Sequence, residues 1–219
     1  ALPISPTFGV EPGVVVGVLA GGHNATVYAQ EGSEDFEELS IEELKKLDLN
    51  ENDAVVALSA SGRTPYAKGA LKYAKEVGAA HIAVSCSRNA ELSKLGEVAI
   101  EVVTGAEVIT GSTRLKAGTA QKMILNMLST GSMIKSGKVY GNYMVDVRAG
   151  NHKLVERSKK IIVDCTGVSR EEAEKYLEIS EGRVKLAVFM ILSQLNKEES
   201  IKFLEENDNT IYKALQAIK

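Results

Sequence analysis

The length and composition of the chain describe a globular protein of modest size. Its 219 residues can hold one α/β domain with a small addition, and 44% of them are hydrophobic, which is enough for a sizeable core. The formal net charge is −3, aromatic residues make up 5% and Trp is absent, so we expect no nucleic-acid partner. No apolar run approaches the roughly 20 residues that span a bilayer, so we expect a cytoplasmic protein without membrane contact.

The cysteines and histidines give no sign of a metal centre. Cys86 and Cys165 lie far apart and outside CxxC spacing, which favours two packed, reduced thiols over a disulfide or a zinc site. His23, His81 and His152 lack the spacing of metal ligands. We therefore predict no bound metal.

Apolar runs predict buried strands in the first half of the chain. Continuous, mostly β-branched stretches lie at residues 14–19, 54–59, 81–85 and 98–103. Runs of this kind are typical of a parallel sheet that is covered on both faces.

Helical patterns separate and follow these runs. Ser40 and Glu43 form a Ser-x-x-Glu capping box for a helix over residues 40–47, and amphipathic or apolar periodicity predicts helices over 65–77 and 113–136. The order strand, helix, strand predicts right-handed crossovers and a doubly wound parallel sheet. In such sheets, ligands bind at the carboxyl ends of the strands.

The carboxyl-terminal part of the chain carries capped helices and no strand pattern. Ser169 and Asn196 are each followed three residues later by Glu, which predicts helix N-caps, and residues 185–195 form an apolar helix. We expect two domains, an α/β domain over residues 1–154 and a small helical domain over residues 155–219.

The sharpest chemical signal lies between the second predicted strand and the helix that follows it. The segment reads Ser59-Ala60-Ser61-Gly62-Arg63-Thr64-Pro65. Its hydroxyl groups, its permissive glycine and the backbone N–H groups of a helix N-terminus favour a phosphate through hydrogen bonds and the helix dipole. It lacks the GxxxxGK[ST] of triphosphate sites and the GxGxxG of dinucleotide sites, so a phosphate monoester is the expected ligand. A capped turn with incidental serines is the alternative. The candidate phosphate-binding residues are Ser59, Ser61, Gly62, Arg63 and Thr64.

Three further segments resemble one protein family. Residues 105–119 read GAEVITGSTRLKAGT, residues 31–35 read EGSED and residues 5–10 read SPTFGV. Each is similar to a motif of the bacterial N-acetylmuramic acid 6-phosphate etherases, which share the long signature with the animal glucokinase regulatory protein. The resemblance runs from residue 3 to the carboxyl terminus and is closer to the bacterial enzymes. It implies a sugar isomerase fold, a phosphorylated amino sugar as ligand and a homodimer.

The resemblance also implies roles for particular residues. Glu34, the second Glu of EGSED, is the expected proton-transfer residue, which a carboxylate can be when its surroundings tune its pKa. Glu107 is a second candidate for proton transfer, and Glu107, Ser112 and Lys116 are expected to contact the substrate. Arg114 and Lys116 could bind phosphate or hold Glu107 in place. The alternatives are solvated charges for the ionic residues, an N-cap for Ser112, and a helix cap or a buried ion pair for Glu107.

The implied reaction is cleavage of the lactyl ether of N-acetylmuramic acid 6-phosphate, giving N-acetylglucosamine 6-phosphate and D-lactate in cell-wall sugar recycling. In the open-chain sugar, the hydrogen beside the aldehyde is acidic. A carboxylate base can therefore remove it while lactate leaves from the next carbon, and water then adds. This carbon–oxygen lyase chemistry needs no cofactor.

The sequence departs from the family pattern at its amino terminus. A second Glu of the family is replaced by Pro3, which cannot transfer protons, and the family's glycine-rich TSGR turn would lie upstream of Ala1. Two interpretations follow: either an amino-terminal segment precedes this chain in an active full-length etherase, or the protein is a relative that binds the phosphosugar but is impaired in the chemistry. A non-catalytic phosphosugar-binding regulatory module is the alternative function. An isomerase with the same domain is a weaker third possibility, because such isomerases lack the TGSTRLK signature.

Overall fold

The computed structural model describes residues 8–28, 30–147 and 152–218. Pro3 and the first part of the SPTFGV motif lie outside the described residues.

The chain divides into two compact units. One is Val16–Asn126, and the other joins Ala1–Val15 to Met127–Lys219. The domain bounds that we expect from the sequence, 1–154 and 155–219, stay a prediction.

The Val16–Asn126 unit contains a parallel three-stranded sheet with helices between its strands. Its regular elements are α1 (Glu37–Lys46), β1 (Ala54–Ser59), α2 (Pro65–Glu76), β2 (Ala80–Ser85) and β3 (Val98–Glu101). The strand order is β1-β2-β3, and both pairings are parallel. The predicted α/β class with a parallel sheet is confirmed, and each of the three strands overlaps a predicted run.

Helix α2 packs on this sheet and contributes to its core. Pro65 occupies its first turn, where a missing N–H costs nothing, and Gly78 follows its end with φ +80°. The buried side chains are mostly small, which lets the helix approach the strands closely; they are Ala57, Ala67, Leu71, Ala83 and Leu92.

The run over residues 14–19 is not a strand in this structure, so that prediction is wrong. Val14 is 65% exposed. Turns flank the run: the N–H of Val14 donates to Glu11 at 3.3 Å, and that of Gly22 donates to Leu19 at 2.7 Å. A parallel strand needs a neighbour for its backbone groups, and no described strand pairs with this run.

The predicted capping box of α1 is also wrong, because the helix begins at Glu37. Ser40 is buried inside the helix and donates its hydroxyl hydrogen to the carbonyl oxygen of Glu37 at 2.8 Å. Glu43 accepts a hydrogen bond from the hydroxyl of Tyr66 in α2. Ser40 therefore bonds to the backbone within α1, and Glu43 bonds to the neighbouring helix. Neither side chain caps the start of α1.

Helix α3 (Lys116–Lys135) is shorter than the helix predicted over 113–136. A short antiparallel hairpin follows, formed by β4 (Val139–Tyr140) and β5 (Tyr143–Met144). The sequence did not predict this hairpin, because strands of two residues carry no periodicity.

From His152 onward the described residues form short helices, as predicted. Its helices are α4 (His152–Thr166), α5 (Arg170–Ile179), α6 (Val184–Ser193), α7 (Lys197–Glu206) and α8 (Ile211–Ala217). The Oγ of Ser169 accepts the N–H of Glu172 at 3.2 Å, and Asn196 and Glu199 form a complete capping box. Both predicted N-caps are confirmed.

Helix α6 is the centre of the helical core. Leu186, Val188 and Phe189 are buried, as the apolar pattern predicts. They pack with side chains from the hairpin and the other helices, among them Val145, Ile161, Ile162, Leu177, Leu204 and Ile211. No helix in the described ranges is both long and apolar enough to cross a membrane.

Candidate functional site

A row of polar residues crosses the carboxyl edge of the sheet. The register pairs Ser59 with Ser85, and Ser85 with Glu101. Ser59 is 5% exposed and Ser85 is fully buried. Buried polar groups need hydrogen-bond partners, and the loops that follow the strands supply them.

The loop after β1 is held by its own hydroxyl groups. The Oγ of Ser59 lies 2.9 Å from the Oγ1 of Thr64 and accepts the N–H of Gly62 at 3.0 Å. The Oγ of Ser61 accepts the N–H of Arg63 at 3.2 Å. The segment therefore folds back on Ser59 in a defined shape before α2 begins.

Gly62 permits this shape. Its φ is +67°, and a Cβ at this position would lie 2.3 Å from the Cβ of Ala90. Its carbonyl oxygen accepts the N–H of Leu92 at 2.9 Å. A glycine is therefore required both by the backbone conformation and by the close approach of the 85–92 loop.

The two strand-end loops are joined at Ala60. Its carbonyl oxygen accepts the N–H of Cys86 at 3.0 Å and the hydroxyl of Ser87 at 3.2 Å. The Oγ of Ser85 donates to the carbonyl oxygen of Ser87 at 3.1 Å. These bonds fix the loop after β1 against the loop after β2.

The N-terminus of α2 keeps capacity to bind an anion. Thr64 precedes the helix and makes no side-chain capping bond. Backbone N–H groups of the first turn therefore have no side-chain acceptor there, and the helix dipole adds positive potential. Ser61 and Arg63 are exposed beside them. A phosphate monoester suits this combination of donors.

Sequence reasoning missed Glu101. This residue ends β3, and its carboxylate accepts the N–H groups of Asn89 at 2.9 Å and Ala90 at 3.0 Å. Asn89 has φ +54°, so the carboxylate holds a left-handed turn beside Gly62. A charged residue inside the otherwise apolar run over residues 98–103 was the signal available in the sequence.

Glu107 caps helix α3. Its carboxylate accepts the N–H of Lys116 at 3.0 Å and that of Ala117 at 2.9 Å. These backbone bonds, first that of Ala117, hold the pKa of the Glu107 carboxyl below its usual value. The cap from nine residues upstream explains why the helix begins at Lys116. The helix-cap alternative for Glu107 is therefore realised, while a contact with substrate stays a prediction.

The other predicted residues of the long signature lie at the same end of α3. The N–H of Ser112 donates to Ile109 at 3.0 Å, which forms a turn before the helix. Arg114 and Lys116 are exposed and line an open cleft of about 570 Å³ with Leu115, Thr119, Ala120 and Met123.

Cys86 links α3 to the strand ends. Its thiol donates to the carbonyl oxygen of Ala117 at 3.6 Å. Burial, and secondarily the negative charge of Glu107, raises the pKa of this thiol. Cys86 and Cys165 are both free, as the sequence predicts. Cys86 bonds to Ala60 in the loop after β1 and to Ala117 at the start of α3, so these two segments lie close together.

Glu34 lies on a separate segment. It sits in a 3-10 turn, Ser33–Asp35, which directly precedes α1 and lies against α2. Its side chain is exposed and makes no hydrogen bond or ion pair with any described residue. No described hydrogen bond connects Glu34 to the Ser59–Thr64 loop.

Two family descriptions match the chain. Residues 33–131 match the SIS domain, and residues 141–208 match the C-terminal lid domain of glucokinase regulatory protein. The first match covers Glu34, the loop after β1 and the cap of α3.

Bacterial relatives match nearly the whole chain. The chain is 53% identical to the N-acetylmuramic acid 6-phosphate etherase of Clostridium beijerinckii, over 97% of this chain and 70% of the relative. The etherases of Bacillus cereus and Geobacillus thermodenitrificans are 54% and 51% identical, over 98% and 99% of this chain and 73% of each relative.

Proposed function

The chain belongs to the N-acetylmuramic acid 6-phosphate etherase family, and we propose that it cleaves the lactyl ether of N-acetylmuramic acid 6-phosphate. The products are N-acetylglucosamine 6-phosphate and D-lactate, as in a carbon–oxygen lyase of cell-wall sugar recycling. The observation that carries the proposal is the identity of 51–54% to etherases over 97–99% of the chain.

The loop after β1 is the proposed phosphate site. The exposed Ser61 hydroxyl, the Arg63 guanidinium and the backbone N–H groups of the first turn of α2 supply the donors. The hydrogen bonds that the Ser59 hydroxyl makes with Gly62 and Thr64, at 3.0 Å and 2.9 Å, give the loop its shape. Binding the phosphate here holds the sugar by the end remote from its reacting carbons, which raises the effective concentration of the reacting groups.

Glu34 is the proposed proton-transfer residue. Its carboxylate accepts the proton from the carbon beside the aldehyde, and the bond from the next carbon to the lactyl oxygen breaks. The leaving oxygen takes a proton from a second acid group or from solvent as D-lactate departs. Water then adds its oxygen to the unsaturated aldehyde and returns a proton to that acid or to solvent, and the proton held by Glu34 goes back to the carbon beside the aldehyde. Glu34 makes no ion pair with a described residue that would hold its carboxylate away from substrate.

Glu107, Ser112 and Lys116 are proposed to form the far wall of the sugar site. Glu107 fixes the first turn of α3, and Lys116 and Arg114 present positive charge in the adjoining cleft. The substrate carries a lactyl carboxylate as well as a phosphate, so two anionic groups need such charges.

We further propose that the protein is a cytoplasmic homodimer without a nucleic-acid partner. The formal net charge of −3 supports the last point, and the family resemblance supports the dimer.

A non-catalytic phosphosugar-binding module is the second candidate. The observation that favours it is the match of residues 141–208 to the lid domain of a regulatory protein. Such a module would bind N-acetylglucosamine 6-phosphate and release no D-lactate.

The test is D-lactate release by the native protein, with its intact mass determined on the same sample. We expect release from N-acetylmuramic acid 6-phosphate and much less from N-acetylmuramic acid without the phosphate. Ser61→Ala should raise KM more than it lowers kcat, because it removes a binding donor. Calorimetric binding of N-acetylglucosamine 6-phosphate without any D-lactate release would refute the lyase and support the second candidate.

A further inference from the structure

Two proposed site segments are attached to neighbouring helices. The turn that contains Glu34 directly precedes α1, and the phosphate loop directly precedes α2. The two helices pack on each other. Their packing therefore sets where Glu34 stands relative to the phosphate loop.

Gly69 makes this packing close. A Cβ at Gly69 would lie 2.4 Å from the carbonyl oxygen of Glu37, 2.8 Å from its Cα and 2.8 Å from the Oγ of Ser40. Two of these three atoms belong to the backbone, so the first turn of α1 would have to move. Glu37 lies only three residues after Glu34, and the moving turn would take Glu34 with it.

Two side-chain contacts flank Gly69 and hold the same pair of helices. The Nζ of Lys72 lies 2.6 Å from a carboxylate oxygen of Glu37, and the hydroxyl of Tyr66 donates to Glu43. Glu37 is opposite the middle of α2 and Glu43 is opposite its first turn, so the helices are antiparallel. Burial and then the bond to Glu43 raise the pKa of Tyr66, which therefore stays a donor.

The contact of Gly69 with α1 lies some way along α2 from the phosphate loop. Gly69 lies five residues after Thr64, which is about 7 Å along a helix axis. The contact with α1 is thus displaced from the phosphate loop along α2. A substrate bound by its phosphate at the loop would extend its reacting carbons away from that loop.

Resting on the proposed function, we propose that Gly69 is a positioning residue for the etherase reaction. Its missing side chain lets α1 approach α2 closely enough to place Glu34 at the reacting carbons. Tyr66 supports the same placement through Glu43. Neither residue needs to touch the substrate.

The test is Gly69→Ala in the native protein, with Gly131→Ala as the matched control. Gly131 is also a helical glycine, in α3, but a Cβ there would meet nothing within 4 Å. We expect Gly69→Ala to lower kcat by about 10- to 100-fold, because a misplacement of about 1 Å can cost about 100-fold in rate. Affinity for N-acetylglucosamine 6-phosphate, measured by calorimetry, should change less than about twofold, since the phosphate loop keeps its own hydrogen bonds. Gly131→Ala should keep the wild-type kcat.

Three results would overturn the positioning role. An unchanged kcat in Gly69→Ala, or a loss of kcat matched by an equal loss of product affinity, contradicts it. If Gly69→Ala does not fold, Tyr66→Phe decides, because it removes only the bond to Glu43. Tyr66→Phe should then lower kcat and keep product affinity, and a wild-type kcat would contradict the role. Absence of D-lactate release from the wild-type protein and from Gly131→Ala would instead refute the proposed function, and the role with it.

Discussion

Replacing Gly62 with Ala perturbs the phosphate loop at its most constrained point. At φ +67° an L-residue costs roughly 1–2 kcal/mol relative to glycine. The new Cβ would also lie 2.3 Å from the Cβ of Ala90 and 3.3 Å from that of Ser85. Overpacking of this kind costs roughly 1–3 kcal/mol. We therefore expect Gly62→Ala to lower the free energy of unfolding by about 2–5 kcal/mol.

Gly78→Ala is the matched control at the other end of α2. Gly78 has φ +80°, but its Cβ would meet nothing closer than the Cβ of Glu51 at 3.4 Å. It should cost only the backbone term of roughly 1–2 kcal/mol. Urea unfolding followed by circular dichroism measures both losses. Calorimetry with N-acetylglucosamine 6-phosphate should show weakened binding in Gly62→Ala alone. Equal losses of stability in the two variants would refute the close contact between the loops.

Two further substitutions probe the site, and thiol labelling probes the surroundings of the two cysteines. Ser59→Ala removes the hydroxyl that bonds the Gly62 N–H and Thr64, while the Ser59 carbonyl oxygen still accepts that N–H at 3.1 Å. Urea unfolding should therefore show a loss of roughly 0.5–1.5 kcal/mol, and no loss would contradict the loop geometry. The lowered pKa of Glu107 means that its stabilising effect is present above about pH 4.3 and is lost as the pH falls through the folded pKa. Tm should therefore fall less on acidification in Glu107→Gln than in the wild type. An equal fall of Tm in both proteins would contradict the capping role of Glu107. Burial, and then Asp164, raises the pKa of Cys165 to about 11, and burial raises that of Cys86. Both thiols should react slowly with iodoacetamide near about pH 8 until urea is added, and fast labelling of the native protein would contradict the raised pKa of the two thiols.

Local signals predicted much of the fold. The strands at β1 and β2 and the start of α2 at Pro65 depend on apolar runs and on a residue with a fixed backbone preference. The caps at Ser169 and Asn196 likewise depend on side chains that reach only three residues along the chain. Such features are determined by residues that lie close together in the sequence.

Contacts between distant segments could not be predicted in this way. Ser40 and Glu43 match a capping box, but Tyr66, 23 residues beyond Glu43, engages the carboxylate instead. The run over residues 14–19 has the composition of a strand, yet composition does not supply a neighbouring strand.

The same limit applies to the candidate site. The loop after β1 and its glycine could be predicted, because hydroxyl groups, glycine and the helix start are contiguous. Glu107 was expected beside the sugar, but its bonds to Lys116 and Ala117 depend on a loop that returns to the helix start. Glu101 was missed because its partners, Asn89 and Ala90, lie on another loop.

The role of Glu34 is the central claim, and D-lactate release by Glu34→Gln measures it most directly. Glu38→Gln is the control, since Glu38 is also an exposed carboxylate, in the first turn of α1. We expect Glu34→Gln to lose at least about 100-fold in kcat while it still binds N-acetylglucosamine 6-phosphate, with Glu38→Gln close to wild type. Wild-type D-lactate release by Glu34→Gln would contradict the proposed mechanism.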